Sequence, residues 1–204
     1  MVDNQVKARI TICQILSEIL KEPSSELISD LPAMTAALRE AFAVLGYNIP
    51  LAYYQDWPQL AGDASELQRH YFDSFFYPNE LRVVPVESIY RQWTFDESAQ
   101  VPFAKEKGYL MSDAALHMKS LYDQLGLVVP PEYQSSPDHL CLELEFAALL
   151  LEQGQPEWYN TFVHDHLTWV EELRQDAAKN GIYRLYRDVI AVTAEYISCE
   201  LQTL

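Results

Sequence analysis

Positive charge is scarce in this chain. Fourteen lysines and arginines stand against 30 aspartates and glutamates, a formal charge of -16 at neutral pH. A field of that sign repels phosphate backbones, which sets nucleic acid aside and makes a basic peptide the natural complement. Long apolar runs are missing too: none approaches the ~18 residues of a membrane span, so stable membrane insertion is not expected. The opening MVDNQVKARITICQIL has an acid before its first lysine and no small-residue cleavage site, so it does not read as a secretory signal, and a cytoplasmic location is expected. Cysteine is down to three residues, Cys13, Cys141 and Cys199, far apart and each inside an apolar helical pattern. That spacing suits reduced core thiols rather than a disulfide framework or a zinc site. No glycine-rich phosphate loop, G-x-S-x-G, C-x-x-C or H-E-x-x-H is found, so no catalytic residue is assigned.

What is present is helical periodicity. The 204 residues suit one domain, which at this size buries roughly 70% of its unfolded surface. Only six glycines occur, and the eleven prolines fall where apolar 3.6-residue patterns stop. The expected fold is an all-α, single-domain bundle whose halves could hinge near 126–136. Helices are expected at about 4–21, 31–45 (ending at Gly46), 63–77, 112–125, 137–153, 156–178 and 182–202. Asp63 with Glu66 makes a capping-box-like start for the third. That helix carries Tyr71, Phe72, Phe75, Phe76 and Tyr77 before Pro78, a run that reads as core more readily than as a ligand cage. Between about 78 and 111 a long loop retains Tyr90, Trp93, Phe95 and Phe103. Aromatic loops of this length are ordered against something, and these rings could line a groove.

The stretch SSPDHLCLELEFAALLLEQ, residues 135–153, concentrates the polar residues of interest. Ser136, Pro137 and Asp138 read as N-cap, N1 and N2 of a helix. At 100° per residue, Asp138, Glu145 and Glu152 share a stripe expected to be solvated, whereas His139 and Glu143 share another, flanked by Phe146, Ala147 and Leu150. A carboxylate on an apolar face costs several kcal/mol unless paired, and His139 is the nearest partner for Glu143. His139, Glu143 and His166 could together hold a metal, although His166, aligned with Phe162, Val170 and Leu173, reads better as a hydrogen-bonded core histidine. His117 and His164 show no partner. Glu143 and Glu145 point to different faces, which argues against acid-base cooperation.

Three landmarks, in order, resemble the TorD/DmsD/NarJ-type redox-enzyme maturation chaperones. HYFDSFFYPNELRVVPVESIY resembles that family's aromatic helix, turn and Pro-x-Glu-Ser loop, here Pro85, Glu87, Ser88, Ile89 and Tyr90. SSPDHLCLELEFAALL resembles its Asp-His helix start, here Asp138 and His139. FVHDHLTWVEEL is similar to its His-Leu-Trp segment, here His166, Leu167 and Trp169. The likeness spans about residues 65–175 and extends to the last helix. It departs at Ser135-Ser136, where the family has Glu-Pro, so any role of that glutamate is not carried over. The chain is also longer after Tyr90, which leaves Trp93 and Phe95 unmatched.

The resemblance implies an all-α chaperone, not an enzyme, without cofactor or metal, acting as monomer or homodimer. Its partners would be the twin-arginine signal peptide and the catalytic subunit of a molybdoenzyme, held in the cytosol until cofactor is inserted; some members serve subunits with no exported leader. The implied contact residues are Asp138 and His139, with Pro85, Glu87, Ser88 and Tyr90 across a cleft, and Trp93. Pro137, Glu143, His166 and Trp169 would support them. The competing readings are a metalloprotein or hydrolase using His139, Glu143 and His166, and a helical adaptor for an unrelated partner.

Overall fold

The computed structural model describes residues 3–76 and 83–203. Among them are ten α-helices: α1 Asn4–Ile19, α2 Ser25–Leu45, α3 Trp57–Ala61, α4 Ala64–Phe75, α5 Glu87–Tyr90, α6 Asp113–Gln124, α7 Leu140–Glu152, α8 Pro156–His166, α9 Val170–Asn180 and α10 Arg184–Thr203. The described residues contain no strand, only an isolated antiparallel bridge between Val86 and His139. The fold is all-α, as the periodicity requires.

Local chemistry sets most boundaries. The Asp63 carboxylate accepts from Glu66 N–H and starts α4, and the Ser112 hydroxyl accepts from Ala114 N–H to start α6. Gly46, at φ 73°, closes α2 while Tyr47 N–H reaches back to the Phe42 carbonyl, a left-handed ending that glycine adopts without a Cβ penalty. That helix begins six residues earlier than its pattern suggests, because Ser24 caps Leu27 N–H and Pro32 is carried inside the helix. The segment expected as one helix from 156 to 178 is two. The chain leaves helical geometry at Leu167 and resumes at Val170, which turns Trp169 inward. Tyr71 and Phe75 are core, Phe72 is half-buried and Phe76 is largely exposed; Tyr77 and Pro78 lie outside the described residues.

At the centre lies α7, nearly all hydrocarbon and buried at Leu140, Leu144, Ala147 and Leu151. Its main neighbour is α1, which also packs on α2, while α9 and α10 pack together and α8 covers another flank of α7. At the far end of α10, Glu200 is enclosed and accepts from Arg9 (Nε to Oε2 2.8 Å), Tyr47 (2.6 Å) and Tyr159 (2.9 Å). Three donors satisfy one buried carboxylate, joining α1 and α8 to the last helix. Cys13 and Cys141 are buried thiols and Cys199 is half-buried; none is in a disulfide. Among the described residues, no helix is long and apolar enough to cross a membrane.

Candidate partner-binding site

The Pro85–Tyr90 segment is strapped to the start of α7 by its backbone. Leu140 N–H donates to the Pro85 carbonyl (2.9 Å) and Glu87 N–H to the Asp138 carbonyl (3.0 Å). Asp138 then folds its carboxylate over the first turn of α5, where Oδ2 accepts from both the backbone N–H (2.7 Å) and the hydroxyl of Ser88. The Ser88 hydroxyl also lies 2.8 Å from that of Ser112, the cap of α6. One carboxylate thus ties the starts of three helices, and Tyr122 adds a bond from α6 to the Pro137 carbonyl (3.1 Å). Asp138 is fully buried, and burial pushes its pKa up while the Ser88 bonds pull it down.

These positions correct the local reading. Ser136, Pro137 and Asp138 do not open α7; His139 is its cap, with Nδ1 accepting from Cys141 N–H. Nor is Asp138 on a solvated stripe, although Glu145 and Glu152 are exposed. The wheel failed because Asp138 precedes the helix and does not obey its period. His139 does not pair with Glu143. Its Nδ1 lies 3.0 Å from the Cys141 sulfur and its ring rests on Tyr133. Burial pushes its pKa down to about 3, so the imidazole is neutral.

Glu143 instead faces α5 and α8. Its Oε2 accepts from the buried indole of Trp169 (3.1 Å), while Oε1 has no donor. Burial, with the charges of Glu87 and Asp138 nearby, raises its pKa well above the usual carboxylate range. Glu87, also buried, has one oxygen 3.1 Å from Arg91 Nε and the other 2.8 Å from His166 Nδ1. His166 Nε2 meets His117 Nδ1 at 2.8 Å, which supplies partners for two histidines. His166 is thus the hydrogen-bonded core residue its stripe suggested, stacked on Phe162. Arg91 reaches on to Thr168 Oγ1 (2.6 Å) at the break between α8 and α9, and Tyr90 stacks on Trp169 at 5.2 Å.

Trp93 does not reach across this region. It packs edge-on against Phe103 (5.0 Å) and donates to the Leu110 carbonyl, inside a loop that Asp113 pins through Thr94 and the Phe95 N–H. Pro85, Ser88, Tyr90, Pro137, Asp138 and His139 are all buried. Glu87 and His166 are reached from outside through a cavity of about 400 Å³, bordered by Arg91, Phe95, Asp113, His117 and Asp165.

Beyond His117 an apolar trough continues between α6, α7 and α8. One hollow of about 430 Å³ shares His117, Asp165 and His166 with the first cavity and adds Leu121, Phe146 and Trp158. A second, of about 580 Å³, is floored by Phe146, Leu149 and Leu150 and edged by Leu125 and Leu127; a third, of about 330 Å³, carries on to Val128. Leu125, Val128 and Trp158 are largely exposed. Sequence reasoning missed this trough, since its floor residues obey the same 3.6 period as the core. Leu125-Gly126-Leu127-Val128-Val129, apolar residues around a helix-ending glycine, is the local signal by which it could have been found.

The clamp and trough fall within a recognisable segment. The family model described as nitrate reductase delta subunit matches residues 28–175, from α2 through most of α9. The chain belongs to this family of redox-enzyme maturation chaperones. Its fold is shared with a candidate redox enzyme maturation protein from Archaeoglobus fulgidus, at a TM-score of 0.58 and 18% identity over 93% of each chain. No curated protein matches the sequence. The matched segment contains all three motifs of the maturation chaperone, so the residues that carry the resemblance are also those that build the clamp.

Proposed function

We propose that this maturation chaperone binds the twin-arginine leader, the apo catalytic subunit, or both, of a molybdenum-containing oxidoreductase, in the cytosol, until cofactor is inserted. The observation that carries the reading is the apolar trough running into a cavity that holds Glu87, Asp113 and Asp165. A leader offers the complement: an apolar segment for the trough, and paired guanidinium groups that fork onto carboxylates at its end. Exposed Glu145, Glu152 and Glu157 along the same walls repel an acidic competitor. The motif residues then divide by position. Glu87, with His166, faces the partner; Pro85, Ser88, Tyr90, Pro137, Asp138, His139, Glu143 and Trp169 hold the walls in register, and Trp93 stiffens the loop beside them. His139, turned toward Cys141, cannot serve a metal centre with Glu143 and His166.

Titration of the full chain with a synthetic twin-arginine leader, followed by calorimetry, tests the reading. Binding at micromolar concentration is expected, weakening by about tenfold or more when both arginines are changed to lysine. If neither leader nor apo-subunit binds at that concentration, the proposal fails, and capture of an unrelated protein would identify an adaptor instead.

A further inference from the structure

We propose that Glu87, Glu143 and His166 form a binding site for one first-row divalent metal ion, which fastens α5, α7 and α8 together. One oxygen from each carboxylate and a nitrogen of His166 all lie within 4.8 Å of one another, and all three side chains are buried. A divalent ion about 2.0–2.2 Å from each ligand holds such atoms roughly 3–4 Å apart. His166 Nδ1 and Glu87 Oε2, hydrogen-bonded at 2.8 Å, would open by a few tenths of an ångström to admit the ion.

The independent pointer is Glu143 Oε1, enclosed, without a donor, and set beside a second carboxylate. Two carboxylates set this close need a positive species between them, which a proton on Glu143 supplies in the metal-free protein and a metal ion would replace. The surroundings are also those of a ligand set. Each candidate ligand is oriented by a further group: Glu87 by Arg91, Glu143 by the Trp169 indole, His166 by His117 on its other ring nitrogen. Outer partners of this kind fix ligand geometry at metal centres. The surface cavity that reaches down to the buried Glu87 and His166 supplies the route in. Two carboxylate oxygens with one imidazole suit zinc or manganese, rather than magnesium or calcium, which take oxygen ligands. Since the three ligands come from three helices, the ion would brace the wall of the partner cavity.

Protein stripped with a chelator and dialysed is titrated with zinc, manganese or magnesium chloride, reading stoichiometry by calorimetry and Tm by calorimetric scan. One equivalent of zinc or manganese should bind and raise Tm, with magnesium far weaker. Glu143→Gln should weaken binding by about 100-fold or more, and the metal-free variant should melt no lower than the parent, because the amide gives Glu87 a donor. His117→Gln, at an exposed position, should weaken binding by about 10–100-fold. Absence of binding at tens of micromolar overturns the proposal. So does binding that survives Glu143→Gln but is lost in His164→Gln, which would mark a surface histidine site. Leader affinity is a separate measurement, and its failure would leave the metal result standing.

Discussion

Asp138 earns its place in the motif by what it holds rather than by what it meets. With Oδ2 shared between the Ser88 amide and hydroxyl, Asp138→Ala removes two buried bonds and strands their donors, an expected loss of about 2–4 kcal/mol by urea denaturation. Asp138→Asn keeps an acceptor and should cost only about 1 kcal/mol, leaving leader affinity within about twofold of the parent; a large affinity loss without a stability loss would instead mark a direct contact. His139 gives a pH-dependent counterpart. Its folded pKa of about 3 lies below the ordinary 6.5, so the unfolded chain takes up the proton first as pH falls. The stability it contributes is fully present above 6.5 and drains away down to about 3. His139→Asn retains an acceptor for the cap of α7 without titrating. Equilibrium unfolding across this range should therefore show the variant losing less stability than the parent, by up to roughly 1.4 kcal/mol per pH unit. Residue identity alone announced both side chains as important, but not their partners. Ser88 lies 50 positions from Asp138, and His166 is 79 from Glu87. A helical wheel sees only neighbours within a turn, so it offered Glu143 to His139.

At the scale of elements, the decisive feature is a gap. α6 meets α5, Phe146 of α7 through Tyr122 and His166 of α8 through His117, but does not fill the space toward Leu149 and the exposed Trp158, which is what forms the trough. A charge placed on its rim should disturb binding without disturbing the fold. Leu125→Asp, at a position 55% exposed, is expected to change stability by less than about 0.5 kcal/mol and to weaken leader binding by tenfold or more. Equal stability with unchanged affinity would move the apolar contact elsewhere. The long helices were readable, because the caps at Asp63 and Ser112 and the ending at Gly46 are short-range chemistry, whereas the short α3 and α5 fell where no helix was expected. The break at Leu167–Trp169 was not. No glycine or proline marks it, and it is fixed by tertiary contacts: Trp169 stacking on Tyr90 and donating to Glu143, with Thr168 accepting from Arg91.

The whole molecule carries -16 charges, and their effect belongs to encounter more than to the bound state. Raising salt from about 50 to 500 mM should slow association with a cationic leader by roughly tenfold, while dissociation changes less, as read by stopped-flow fluorescence. A dissociation rate that carries the whole salt effect would contradict the placement of these acids on the rim. The same long-range architecture governs how the chain comes to be folded. α1 packs on its sequence neighbour α2, yet its principal neighbour α7 begins at Leu140, and its Arg9 pairs with Glu200, 191 positions further along. The face of α1 that meets α7 therefore stays open until that distant helix docks. Contacts of such long sequence separation must be closed against chain entropy before they reward folding, so the core should form slowly for an all-helical protein.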